Sequence, residues 1–218
     1  MTPFLTPLGD RALLARFATA DEARGWVRTV RELRLPGVLD VVLAYRSAAV
    51  FADPARVDWS HLEATLGNLE LRKPGLEADG TEHLIPVLYD GIDLEWTARE
   101  LKLSPAEVVR LHTQPRYRVF AIGFTPGFPY AGDLLPELRG LPRREQPRIE
   151  VAAGSVAIAG RQTGIYPCRS PGGWHILGTT PLQIAEPDDG YFPIRAGDWI
   201  RFRAIDRAEY QERLGERL

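Results

Sequence analysis

Three stretches of this sequence combine residue types and spacings suited to chemistry. Residues 123–132 read GFTPGFPYAG, with three glycines, two prolines and the aromatics Phe124, Phe128 and Tyr130. Proline fixes φ and glycine permits turns closed to other residues, so this loop is stiff and sharply bent. Rigid aromatics on it suit a pocket wall, a partner interface or a plug at one barrel end. Phe128 is expected to serve assembly or activity without being needed for folding. The second stretch is basic. Arg143, Arg144 and Arg148 lead into residues 151–185, which hold no acidic residue but do hold Arg161, Arg169 and several glycines. Guanidinium forks match carboxylates, and glycine lets backbone N–H groups approach a ligand. That describes a carboxylate cradle as well as strand-edge turns beside a solvated basic patch. Within it, the Gln162 amide can pair with a small amide or lactam, or with its own turn. The third is His112, at the end of a helical pattern, where an imidazole serves as general acid or base or as a C-terminal cap.

Other chemistries are poorly served. His61, His83 and His175 form no H-x-x-x-H or H-E-x-x-H pair, so no metal site is expected. Cys168 is the only cysteine, which excludes an internal disulfide, and no His or Asn stands at a nucleophile spacing from it. Ser155 and Ser170 lie outside any G-x-S-x-G elbow. There is no G-x-x-x-x-G-K-[ST] loop and no strand–G-x-G-x-x-G–helix unit, so any ATP is expected on another chain and no cofactor on this one. With 27 basic and 29 acidic residues and a net charge of −2, neither nucleic acid nor an anionic membrane is an expected partner. The opening MTPFLTPLGDR lacks the order of a signal peptide, and no apolar run reaches the ~18 residues of a membrane span. The expected compartment is the cytoplasm.

Two halves with different periodicities must position these groups. The first alternates: a strand at 11–17, a helix at 20–34 with Ala23, Trp26, Val27, Val30 and Leu33 on one face, strands at 38–46 and 48–52, a helix at 56–70 and a strand at 82–90. That order, β-α-β-β-α-β, predicts an α+β domain of ferredoxin-like type over residues 1–80, with the last strand, at 82–90, able to belong instead to the second half. A polar connector is expected at 77–81. A helical insert follows near 93–112, whose second helix carries Ser104, Pro105 and Glu107 in capping-box order. From Tyr117 short β-like runs alternate with Gly/Pro clusters, which predicts a β-barrel-like domain over residues 81–218.

The long motifs resemble one family. His112 to Gly132 reads H-x4-Y-x-V-x3-GFTPGFPYAG; residues 141–167 read LPRREQPRIEVAAGSVAIAGRQTGIYP; residues 170–181 read SPGGWHILGTTP. Together with PLGDRALLARF and RAGDWIRFRAI near the two ends, they resemble the family of 5-oxoprolinase B subunits, also called KipI-like or allophanate hydrolase subunit 1. The resemblance implies a small α+β domain followed by a cyclophilin-like barrel. It implies the A and C subunits of 5-oxoprolinase as partners, in a complex that opens 5-oxoproline to L-glutamate at the expense of ATP, and a chain inactive alone. One branch of the family instead inhibits a histidine kinase, and related chains form half of a biotin-dependent carboxyltransferase acting on urea or allophanate. This chain carries no biotin-carrier sequence, and Met1 is its only methionine. On the enzymatic reading His112 transfers a proton, Arg143 and Arg148 bind a carboxylate, Gln162 orients the amide, Tyr130 and Tyr166 line the site, and Phe124 and Phe128 wall the pocket or meet the partner. The sequence departs from the family's usual wording at Ala131, Ala152 and Ala157, where Leu, Pro and Gly are common.

Overall fold

A computed structural model describes residues 3–69 and 80–218. The chain divides into two compact units, residues 1–79 and 80–218. The first contains β1 (Phe4–Leu8), β2 (Ala12–Arg16), α1 (Ala20–Leu33), β3 (Val38–Ala44), β4 (Ser47–Ala52) and α2 (Trp59–Gly67). Its strands run in the order β1-β2-β4-β3, each pair antiparallel. A capping box starts α1: the Thr19 hydroxyl accepts from the Glu22 N–H and the Glu22 carboxylate accepts from the Thr19 N–H. The apolar stripe Ala23, Trp26, Val27 and Val30 is buried, and the Trp26 indole donates to the Leu66 carbonyl at the end of α2.

The segment 82–90, which the sequence assigns equally to the end of this domain or the start of the next, pairs with β13 of the second unit. The edge beside β2 is instead taken by β1, whose Pro7 lacks an N–H and is tolerated on an edge. The expected connector lies mostly outside the described residues.

The second unit contains β5 (Glu82–Val87), α3 (Leu94–Leu101), α4 (Pro105–Thr113), β6 (Arg116–Ile122), β7 (Pro129–Gly132), β8 (Arg148–Val151), β9 (Ser155–Ala159), β10 (Gln162–Ile165), β11 (Ser170–Gly172), β12 (His175–Thr179), β13 (Trp199–Ala204) and α5 (Arg207–Glu212). A seven-strand path, β5-β13-β6-β7-β10-β9-β12, is antiparallel except for β5 with β13. β8 and β11 form a separate ribbon. Among the described residues no continuous ladder joins the two ends of the path, which meet at the bridge Leu88–Thr179, so the sheet of the barrel-like half is not fully closed. Near that bridge the pairing of β12 with β9 shifts register between Ile176 and Gly178, and a Cβ on Gly178 would come within 2.3 Å of the Leu88 carbonyl oxygen. The chain after Leu88 therefore crosses β12 closely, Gly91 N–H donating to Leu177 O and Asp93 N–H to Ile176 O, and then enters α3.

Strand alternation divides the interior of this unit. On β9, Val156 and Ile158 join the main core with Ile85, Val119, Leu177 and Phe202, while Ala157 and Ala159 join a second cluster with Phe128, Tyr166, Trp174 and Ile176. The capping box read at Ser104 and Glu107 starts α4, whose buried face presents Val108, Leu111 and His112.

Candidate functional site

The second cluster is the floor of a cleft. Phe128 sits at its centre, edge-to-face with Tyr130, Tyr166, Trp174 and Phe124 at ring-centroid distances of 4.9, 5.2, 5.5 and 5.6 Å. Glycines make room for these rings. A Cβ on Gly164 would approach Phe128 Cζ to 2.9 Å and the Pro129 carbonyl to 2.8 Å, and one on Gly172 would lie 2.3 Å from the Tyr166 hydroxyl. The loop itself is cross-braced: Gly123 N–H donates to Phe128 O, and Phe128 N–H to Thr125 O. This fixes Phe124 at φ +66°, a left-handed conformation that disfavours a bulky side chain by about 1–2 kcal/mol. Phe124 remains 59% exposed at the rim, whereas Phe128 is 2% exposed. The expectation that Phe128 is dispensable for folding is thus corrected: it is a core side chain, and Phe124 is the presented aromatic. The cleft holds about 250 Å³, lined by these five aromatics with Pro147, Pro171, Gly172, Gly173, Arg143 and Arg144. Burial pushes the Tyr166 phenol pKa up, against the opposing pull of the Trp174 N–H and the Arg143 charge. Tyr166 is therefore a neutral hydroxyl at physiological pH.

One wall is the strap 142–147. The His175 Nε2–H donates to the Pro142 carbonyl at 2.8 Å, Arg144 N–H donates to Gly173 O at 2.8 Å, and Arg148 opens β8 opposite Gly172. Beneath it lies Asp93, 4% exposed. Its Oδ1 accepts from Arg144 Nη1 at 3.2 Å and from Arg148 Nη2 at 2.7 Å, and its Oδ2 accepts from the Ile176 N–H at 2.8 Å. Asp93 holds the N-cap position of α3 yet makes no capping bond. The far side of the strap borders a second groove of about 390 Å³, lined by Trp96, Pro142, Arg143, Arg144, Glu145, Gln146 and His175. Trp96 stacks on His175 there at 4.5 Å.

Of the residues singled out in the sequence, Phe124, Phe128, Tyr130, Tyr166 and Arg143 come together in the cleft. Arg148 is turned to Asp93 and is absent from the lining. Gln162 starts β10, paired with Gly132 on β7 and Ala159 on β9, and does not line the cleft. His112 stands apart in the core. It is 0% exposed, stacked on Phe202, with Tyr89 Oη 2.7 Å from Nδ1 and Thr163 Oγ1 2.8 Å from Nε2. The Thr163 hydroxyl donates onward to Ala157 O, so it accepts from Nε2–H, and Tyr89 donates to Nδ1. Burial lowers the His112 pKa to about 3, and the ring is neutral. With both nitrogens engaged, it has no atom to offer a ligand in this arrangement. Sequence reasoning missed Trp174 and Asp93, and it placed Arg144 in the basic cradle but gave the carboxylate contact to Arg143 and Arg148. Among the described residues, no group of three or more His, Cys, Asp or Glu is placed to hold a metal, and no helix is long and apolar enough to cross a membrane.

Known proteins share this sequence and architecture. Residues 3–191 match the family described as carboxyltransferase domain, subdomain C and D. The chain is 36% identical over 225 residues to the 5-oxoprolinase B subunit of Bacillus subtilis (strain 168), covering 93% of each protein. The chain belongs to the family of 5-oxoprolinase B subunits. Among solved structures, that of TTHA0988 superposes with a TM-score of 0.80 at 39% identity, over 90% of this chain and 40% of that longer one. The K. lactis urea amidolyase superposes with a TM-score of 0.76 over 97% of this chain and 15% of that one; at 18% identity the likeness is one of fold alone. Ala157, one of the departures from the family wording, is fully buried in the aromatic cluster, and Ala131 is fully buried in the main core. Ala152 is exposed beside the turn at Gly154.

Proposed function

We propose that this chain is the B subunit of an ATP-dependent 5-oxoprolinase, acting with the A and C subunits to open 5-oxoproline to L-glutamate. The observation that carries the reading is the cleft: a small aromatic chamber with guanidinium groups in one wall. 5-Oxoproline is a five-membered lactam bearing one carboxylate, so its ring suits the Phe128, Tyr166 and Trp174 faces and its charge suits the arginines. Aromatic walls exclude water and strengthen that electrostatic pairing. Phe124 at the rim is the natural anchor for a partner that closes the chamber. We read the first unit as the family's ferredoxin-like domain (residues 1–80) and the second as its cyclophilin-like barrel domain (81–218), acting in the cytoplasm. This chain binds no cofactor of its own on this reading; ATP is used elsewhere in the complex, and the chain alone is inactive. Arg143 contacts the substrate carboxylate. His112 supports the floor from the core by fixing Thr163 on β10.

The test is affinity capture of the tagged chain from its own cells, with partners identified by mass spectrometry. Recovery of two larger metabolic subunits supports the proposal. Recovery of a histidine kinase without them overturns it in favour of a KipI-like inhibitor, and recovery of a biotin carboxylase overturns it in favour of a carboxyltransferase.

A further inference from the structure

Arg144 and Asp93 carry more than the shape of the cleft wall. Asp93 is buried yet forgoes the capping bond that its position favours. Its carboxylate is instead shared by two guanidiniums through a single oxygen. Two positive charges therefore meet one negative charge, and Arg143, which makes no ion pair among the described residues, adds a third positive charge to the same strap. Glu145, next to Arg144 on the strap, borders the outer groove and not the cleft, and Glu150 on β8 is committed to Arg169 at 3.0 Å, so the arginines still exceed the acids here by one charge. Donors also outnumber acceptors: Arg144 Nε and Arg148 Nη1 are buried without a hydrogen-bond partner. The two arginines are not equivalent. The Arg148 side chain is 19% exposed and absent from the cleft lining, while that of Arg144 is 34% exposed and present in it.

We propose that Arg144, beside Arg143, is a further carboxylate-recognition residue of the cleft, and that Asp93 is its positioning residue, with Arg148 completing the anchor. The excess positive charge makes the subsite selective for a monoanionic carboxylate over a neutral amide of the same ring. A buried carboxylate fixed by a backbone N–H and a second arginine holds the Arg144 fork in one orientation, so little rotamer freedom is lost on binding. The proposal rests on the 5-oxoprolinase reading for the identity of the ligand, but not for the chemistry of the subsite.

The test is a calorimetric titration of the full chain with 5-oxoproline and with its uncharged primary amide. The wild type should favour the carboxylate, and Arg144→Gln should lose about tenfold or more in affinity for it while changing little for the amide. Asp93→Asn leaves the site more positive but loosens the anchor of the Arg144 fork, so a positioning role predicts a reduced preference where charge alone predicts an increased one. Arg144→Lys should recover part of what Arg144→Gln loses. A purely structural role would weaken both ligands together. Equal binding of the two ligands by the wild type, binding of neither, or an undiminished preference in Arg144→Gln overturns the proposal. Should Asp93→Asn fail to fold, the half-exposed Arg144 variants carry the test. The outcome separates from that of the functional reading. A complex that releases glutamate without carboxylate preference in this cleft sinks the proposal alone. A preference in a chain whose complex does not turn over 5-oxoproline sinks the functional reading alone.

Discussion

Phe128→Ala tests the claim that the loop is part of the core as well as the rim. Phe128 is 2% exposed, and its ring meets four aromatic neighbours within 5.6 Å. Truncating a buried phenylalanine costs about 3–5 kcal/mol through lost transfer energy and residual cavity. The surrounding rings cannot collapse freely, because Gly164 and Gly172 bring backbone and hydroxyl groups against them. We therefore expect a loss of about 4 kcal/mol, a large share of the ~5–15 kcal/mol that stabilises a typical domain. At about 2–4 °C per kcal/mol for a chain of this size, the thermal midpoint should fall by about 8–16 °C. Phe124→Ala is the internal control. Its ring is mostly exposed, so its stability change should stay within about 1 kcal/mol while partner binding weakens. Thermal unfolding followed by near-ultraviolet circular dichroism reads both. A drop under about 3 °C for Phe128→Ala, or equal drops for the two variants, would refute the assignment of core and rim.

Two further outcomes follow from the geometry. The His112 pKa, about 3 in the folded chain against 6.5 ordinarily, is depressed, so the unfolded state takes up a proton first as pH falls. Its contribution is complete above pH 6.5 and is lost towards pH 3, at up to about 1.4 kcal/mol per pH unit. In urea titrations at stepped pH, His112→Asn should show a shallower dependence between those limits; identical slopes would contradict the neutral, buried assignment. Gly172→Ala places a methyl 2.3 Å from the Tyr166 hydroxyl, and overpacking of this kind costs about 1–3 kcal/mol. A shift in the Tyr166 side-chain resonances should accompany the loss, and an unperturbed spectrum would argue against the close approach.

The helices were legible because their signals are local. The 3.6-residue stripe of α1 and the Ser104–Glu107 box each lie within one element. The stiffness of residues 123–132 was legible for the same reason, since proline and glycine act on their own backbone. What the glycines make room for was not: the ring beside Gly172 belongs to Tyr166, and that beside Gly164 to Phe128. Asp93 escaped notice because an aspartate before an apolar helix reads as a cap, while the arginines that claim it lie 51 and 55 residues away. His112 was misleading in the opposite direction. Its helix end suggested a solvent-facing cap, and only the arrival of Tyr89, Thr163 and Phe202 from other elements makes it a neutral core residue. The close approach of Leu88 to β12 needs the missing Cβ of Gly178, which no periodicity encodes.

The most direct test of the central claim is ATP-dependent glutamate release from 5-oxoproline by this chain reconstituted with the A and C subunits from the same organism. Turnover should require this chain and should fall strongly in Arg144→Gln, with the complex still assembled. Undiminished turnover when this chain is omitted, or no turnover with all three present, would contradict it.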